Sequence, residues 1–518
     1  MVSTHLLKID MACYILKESG RNVVVKLNSR LTKISLMQEL KTDLELVHMY
    51  DCDIEEISED VSPYCPMLST MIINESSIRH VPESFFKYMN IISILDLSCN
   101  KRLESLPNSM SRLRFLTSLV LTGCNTLKKL PPLGELQALS RLVITFCSIE
   151  EVPQGLEKLI NLKWLDLSRN NNLTMKSGTV LSNLSKMQYL DLRCPGVVIT
   201  VQDVQGMNKL EYFGGALLVN YYSQKVLDIS FVLKKYHLIL GKMYDEEGDW
   251  WDSYNLKSIV PCDPETKTIH FGYCSQLSHF SHILPNDLID LYICQNIHWG
   301  CLCDTLSYND SSSLKKLNIS TCRQLKYVFC LSHSCSFCTK IYNLEVLELS
   351  TLESLSVICK DIVDVRQSLS PNGIFSCLKE LSVYNCNLLE NLFTPRLVQQ
   401  LQNLETIIIR YCGSMKEILV ASNSDVDDSL SIAFPKLTSL ELGNLPQLKI
   451  VCKGSTSMSL PKLTNFMLED LPQLKIVSKG SISCESLPTL NINGCQNLDM
   501  YSTMIIQDVE IPYYRFCC

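Results

Sequence analysis

The chain contains no run of five like charges and no apolar stretch near the roughly 18 residues that a membrane-spanning helix requires. Apolar runs such as Ala216 to Val219 are far shorter. The opening residues are interrupted by Lys8, Asp10, Lys17, Glu18, Arg21 and Lys26, so they lack the apolar core of a secretory signal. A net charge of −7 over 518 residues is too weak to steer nucleic acid or anionic lipid. The motifs G-x-x-x-x-G-K-[ST], G-x-G-x-x-G, H-E-x-x-H and G-x-S-x-G are all missing. The residue types and spacings for phosphate cradling, zinc hydrolysis or a nucleophile elbow are therefore not there. These absences predict a chain that is not an enzyme, binds no nucleic acid, spans no membrane and works in the cytoplasm, with any membrane-peripheral or nuclear placement set by partners.

What is abundant is cysteine, 25 residues, within a composition that is 46% hydrophobic. In a reducing compartment such an odd count reads as free thiols, not as a disulfide framework. The cysteines also belong to a repeat. The template L-x-x-L-x-L-x-x-N/C places its second position at 47, 71, 95, 119, 142, 165 and 190, spacings of 23 to 25 residues. After Tyr212 the register blurs, and Tyr244 to Asn255 is polar and acidic. The template returns at Ile269, Leu291, Leu317, Leu347, Leu381, Ile407, Leu440, Phe466 and Leu490 with spacings of 22 to 34. One pair is a close copy, Phe434 to Gly454 matching Leu460 to Gly480 at 14 of 21 positions.

This period predicts an α/β leucine-rich-repeat solenoid, a horseshoe of about 17 repeats with parallel strands on its concave face. Along each short strand the leucines point inward and the residues between them point out. The Asn or Cys that follows turns inward to bond backbone groups; cysteines 52, 124, 147, 274, 322, 386, 412 and 495 hold that position. The division expected is 1–35 before the repeats, 36–215 regular repeats, 216–268 an irregular segment or insertion, and 269–518 repeats of irregular length.

Strand alternation also nominates a recognition surface: His48 and Tyr50; Trp164, Asp166 and Arg169; Tyr189, Asp191 and Arg193; and later Tyr384, Arg410, Glu441 and Glu469. Aromatic residues beside arginines are common interface anchors. A second cluster, Cys294, His298, Cys301, Cys303, Cys322, Cys330, His333, Cys335 and Cys338, contains one C-x-x-C, Cys335 to Cys338. With no second C-x-x-C at finger or ribbon spacing, it reads as loop cysteines, and zinc far below one per chain is expected.

Leu95 to Ile144 (LDLSCNKRLESLPNSMSRLRFLTSLVLTGCNTLKKLPPLGELQALSRLVI), with the looser CLKELSVYNCNLLENLF and FPKLTSLELGNLPQLKIV, resembles the leucine-rich region of plant coiled-coil nucleotide-binding disease-resistance proteins. His5 to Lys26 resembles the end of that family's winged-helix subdomain, so 1–35 is a remnant of it. The family's Met-His-Asp falls on Thr4, His5 and Leu6, of which only the histidine is kept. The resemblance implies an intracellular recognition module sensing a pathogen effector or a guarded host protein, alone or beside a full-length receptor. It also implies no cofactor here, ADP or ATP belonging only to a full-length relative that carries the nucleotide-binding domain. The alternatives are a substrate-recognition subunit of a ubiquitin ligase and a truncated decoy regulator.

Overall fold

A computed structural model describes residues 20–29, 39–217, 233–240, 267–272 and 282–498, except 55–56, 58, 176–179, 195, 296–298, 311, 331–334, 336, 361–372, 394, 399, 420–431, 453–457, 479–481 and 485–488. The chain divides into two compact units, Met1–Ile239 and Leu240–Cys518.

The first unit is a ladder of parallel strands: β1 (Val23–Leu27), β2 (Leu46–Tyr50), β3 (Thr70–Asn74), β4 (Ile94–Asp96), β5 (Ser118–Val120), β6 (Arg141–Val143), β7 (Trp164–Asp166), β8 (Tyr189–Leu192), β9 (Val198–Ile199), β10 (Tyr212–Leu217) and β11 (Lys235–Leu240). Strands β1 to β8 pair consecutively and β10 pairs with both β8 and β9. The pairing register aligns the repeat template: Val47, Met71, Leu95, Leu119, Leu142, Leu165 and Leu190 form one column, and each is 0% exposed. A repeat cannot bury its own leucines; stacking the next turn onto it does so.

The Asn/Cys position works as its chemistry requires. Asn100 Nδ2 donates to Ile73 O at 2.7 Å and Leu97 O at 2.8 Å; Asn170 Nδ2 donates to Ile144 O and Leu167 O, both at 2.7 Å. Cysteine does the same job more weakly, Cys124 Sγ reaching Leu97 O at 3.2 Å and Cys147 Sγ reaching Leu121 O at 2.9 Å. Cys274 lies outside the described residues. The residue just before this position is left-handed in turn after turn: Asp51, Glu75, Cys99, Phe146 and Arg169 have φ of 50° to 61°, and Gly123 has 74°. That conformation keeps the backbone in the ladder for one more bond, as in Arg169 N to Arg193 O at 3.0 Å and Gly123 N to Thr145 O at 2.7 Å.

The expected leucine-rich-repeat solenoid is present, and its helical content is small. Among the described residues of this unit the connections contain 3-10 turns at Asn108–Arg112 and Leu156–Lys158 and one short helix, Val201–Gln205. Pro107 stands directly before the first of these turns, and prolines 82, 131, 132 and 153 punctuate other connections, removing donors that a longer helix would use.

The second unit repeats the ladder with more strand on its other sides. Its strands are β12 (Lys267–Phe271), β13 (His282–Ile283), β14 (Asp290–Cys294), β15 (Leu306–Ser307), β16 (Lys316–Ser320), β17 (Val346–Ser350), β18 (Glu380–Tyr384), β19 (Thr406–Arg410), β20 (Glu417–Leu419), β21 (Ile432–Ala433), β22 (Ser439–Gly443), β23 (Ile450–Cys452), β24 (Met458–Ser459), β25 (Asn465–Glu469), β26 (Ile476–Ser478), β27 (Ile482–Ser483) and β28 (Thr489–Asn493). The main column runs β12, β14, β16, β17, β18, β19, β22, β25, β28. Side columns β20–β23–β26 and β21–β24–β27 line the last turns. The copied pair lies in register, Ser439 opposite Asn465 and Ile450 opposite Ile476, so identical leucines such as Leu448 and Leu474 stack in the core.

His5 and residues 244–255 lie outside the described residues. Within 1–35, Val23–Leu27 is already a ladder strand against β2; within 216–268, β11 is a strand that the repeat template did not mark.

Candidate functional site

Four side chains stack on the outer face of β6, β7, β8 and β10. The register puts Arg141, Trp164, Tyr189 and Tyr212 in one column. Parallel strands lie about 4.8 Å apart, so flat groups at equal positions meet face to face. Trp164 and Tyr189 stack with centroids 3.7 Å apart and planes 5° apart; Tyr189 and Tyr212 follow at 4.4 Å and 11°. The Arg141 guanidinium caps the Trp164 ring at 4.6 Å. The indole Nε1 is buried with no hydrogen-bond partner, so stacking fixes the ring.

Two positions further along, the same strands carry Val143, Asp166, Asp191 and Gly214. Asp191 is 1% exposed and accepts from Arg193 Nε at 2.9 Å and Nη2 at 2.7 Å, from Tyr189 Oη at 3.4 Å and from Tyr212 Oη at 3.3 Å. Burial opposes the charge of Arg193, but the Asp191 carboxylate more than offsets it and holds the guanidinium above its ordinary pKa. Burial, then the Asp191 charge, pushes both tyrosine hydroxyls up. A side chain at Gly214 would meet Tyr212 Oη at 2.7 Å, so the glycine leaves room for the carboxylate cluster. Arg169 lies over the Phe146 ring at 5.2 Å, beside this group.

Asp166 stands out. Burial and the neighbouring Asp191 charge raise its carboxyl from 3.8 to about 6, although Ser168 donates to it from N at 3.0 Å and Oγ at 2.7 Å. The folded state therefore holds a proton that the unfolded chain has already lost between about pH 4 and 6. The contribution is present below pH 3.8 and is lost as pH rises through 6. Asp166→Asn keeps the acceptor and removes the charge, so it should be about 1–3 kcal/mol more stable than the parent at pH 7, with no advantage near pH 4. Urea denaturation of both chains at the two pH values checks this; an advantage that does not change with pH would contradict it.

The other nominated residues are placed differently. His48 is only 3% exposed, between Val25 and Ile72 in register, so its assignment to an exposed surface is corrected: the neighbouring strands cover it. Asp191 is likewise a buried anchor and not a contact residue. Tyr50 lies two residues from His48, with burial and then Glu75 raising its hydroxyl. In the second unit Tyr384 and Arg410 are register partners, and Arg410 donates to Glu469 at 3.0 Å and Glu441 at 3.4 Å.

The Leucine rich repeat family matches residues 66–127 and 137–193, and the family described as Plant disease resistance protein RPS2-like, leucine-rich repeats, matches 343–460. The fold is a leucine-rich-repeat solenoid, and the chain is similar to plant disease-resistance proteins. Disease resistance protein At4g27190 of Arabidopsis thaliana is 27% identical over 87% of this chain and 46% of its own length. Putative disease resistance protein At4g10780 of the same plant is 29% identical over 44% of this chain and 23% of its own length. The chain thus spans less than half the length of these relatives. A Leptospira interrogans leucine-rich-repeat protein, LIC12759, aligns with a TM-score of 0.44 at 16% identity over 75% of this chain and 87% of that one. No helix among the described residues is long and apolar enough to cross a membrane.

Within this leucine-rich-repeat framework, two surface residues, Arg141 and Phe146, and the buried Tyr212, 4% exposed, escaped the sequence reading. Arg141, Phe146 and Tyr212 were missed because strand alternation was scored turn by turn; aligning the turns at equal template positions would have put Arg141 and Tyr212 in the Trp164 column. Met67, Ile91 and Phe115, each just before an inward residue, are 54%, 38% and 63% exposed. The cysteine cluster divides. Cys322 bonds backbone as a repeat cysteine, Sγ to Ser320 O at 3.3 Å, and Cys294 accepts from Ser320 Oγ at 3.2 Å. Cys303, Cys330, Cys335 and Cys338 converge. His298 and His333 lie outside the described residues.

Proposed function

We propose that this chain is a protein-recognition region acting in plant defence in the cytoplasm. In this reading it binds a pathogen protein or a guarded host protein by the outer face of β6 to β10, and its role is binding, not catalysis. The observation that carries the reading is the Arg141–Trp164–Tyr189–Tyr212 stack, held from below by the Asp191–Arg193 pair, in a chain whose relatives are disease-resistance proteins. A prestacked aromatic surface loses little side-chain entropy when it meets a partner, which makes it a good anchor. The same chemistry serves a full-length receptor as partner.

The test uses the full chain against a panel of pathogen effectors and host defence proteins, with affinity read by calorimetry. For a partner that binds, Trp164→Ala and Arg141→Ala should each weaken affinity roughly tenfold or more. Circular dichroism confirms that the variants remain folded. Glu469→Ala in the second unit should leave affinity unchanged. Partners whose binding ignores every substitution in the stack would place recognition elsewhere.

A further inference from the structure

The sequence reading discounted zinc because only one C-x-x-C is present. The fold supplies the other half of a ligand set from a neighbouring turn. Cys303 sits in the 3-10 turn Leu302–Asp304 that follows β14, while Cys330, Cys335 and Cys338 belong to the connection after β16. All four Sγ atoms lie within 4.8 Å of one another. We propose that Cys303, Cys330, Cys335 and Cys338 form a tetrathiolate zinc site that clips these two turns together.

The geometry fits the ion. A tetrahedral zinc with Zn–S near 2.3 Å sets its sulfurs about 3.8 Å apart. Here Cys330 and Cys338 are 4.0 Å apart and Cys303 and Cys338 3.1 Å, on either side of that edge and well beyond a disulfide bond of about 2.05 Å. None of the four is in a disulfide.

The surroundings hold the ligands in place before any metal arrives. Cys338 N–H donates to Cys335 Sγ at 3.2 Å, the backbone-to-sulfur bond that orients a thiolate. The Thr339 hydroxyl and amide both donate to Cys335 O, at 2.6 and 3.1 Å, closing the C-x-x-C loop. On the facing turn Cys303 N–H donates to Cys301 Sγ at 3.2 Å. Phe337, inside the C-x-x-C, is fully buried and stacks on Tyr308 from the earlier turn at 5.9 Å, so the loop is anchored next to Cys303's own turn.

The position explains the use. From Leu317 to Leu347 the repeat is 30 residues long, against 23 to 25 in the first unit. A longer connection costs more entropy to order, and a metal clip across it restores the loss.

The test is metal content of the full chain purified in reducing buffer without chelator, dialysed against zinc and then against metal-free buffer. The expected result is one zinc per chain by mass spectrometry of the elements. Cobalt should replace it with the intense visible bands of a tetrahedral tetrathiolate, and a strong chelator should lower the melting temperature by about 5 °C or more. Cys335→Ser combined with Cys338→Ser should lose the metal, and Cys377→Ser, outside the cluster, should keep it. Zinc well below one per chain, a weak octahedral cobalt spectrum, or full metal retention by the double variant would each overturn the proposal. If the double variant fails to fold, the cobalt spectrum of the parent decides by itself.

Discussion

Leu119→Asp should unfold the first unit, whereas Ser118→Asp, one residue away, should be nearly neutral. Leu119 is 0% exposed and lies between Leu95 and Leu142 in the ladder register. An aspartate there is either an unpaired charge in an apolar column or a carboxyl forced to keep its proton, and both cost several kcal/mol. A whole domain is stable by only about 5–15 kcal/mol. In a solenoid the damage also spreads, because each turn is stabilised by its two neighbours and a failed turn uncouples those on either side. Ser118 is half-buried on the opposite face, with Arg141 as its register partner, so a carboxylate there stays solvated beside a cation. A change within about 0.5 kcal/mol is expected. Guanidinium denaturation followed by circular dichroism measures both, and equal losses would mean that the inward and outward faces have been exchanged.

Asp191→Ala should cost about 3–5 kcal/mol, far more than a surface ion pair. Its carboxylate is 1% exposed and its partner Arg193 has a side chain only 11% exposed. Without Asp191 the guanidinium keeps its charge in a covered site, and the hydroxyls of Tyr189 and Tyr212 lose the acceptor they share. The loss arises chiefly from the orphaned cation, so Asp191→Ala combined with Arg193→Ala should be less destabilising than the two single losses added together. Asp191→Asn, which retains an acceptor, should fall in between. Urea denaturation of the four chains completes the cycle. Strict additivity, or a single loss below about 1 kcal/mol, would show that the pair is not a buried anchor.

Much of this molecule was legible in its residues because the repeat is local. The period of 23 to 25, the inward column from Val47 to Leu190 and the backbone-bonding role of Asn100, Asn170 and Cys124 each depend on contacts between a turn and the next, and every template match lies on a strand. Strand alternation likewise found Trp164 and Tyr189, since period 2 alone decides which face a side chain takes.

What the sequence could not decide is how far each outward residue is covered and which distant residues meet. His48 and Asp191 share the alternation of exposed residues, yet their neighbours bury them, because coverage depends on the size and charge of side chains one turn away. Left-handed positions at Asp51, Glu75, Cys99, Phe146 and Arg169 carry no glycine to announce them; ladder geometry imposes that conformation on ordinary residues. Among the described residues the connections hold 3-10 turns, short strands and the short helices Val201–Gln205 and Pro395–Val398, because prolines and inward-facing residues on every side of the coil leave little room for longer ones. The four thiols converge only because consecutive turns stack, which brings Cys303 against Cys335 and Cys338 despite their separation along the chain. Periodicity set the core, and the stacking of turns on one another set the sites.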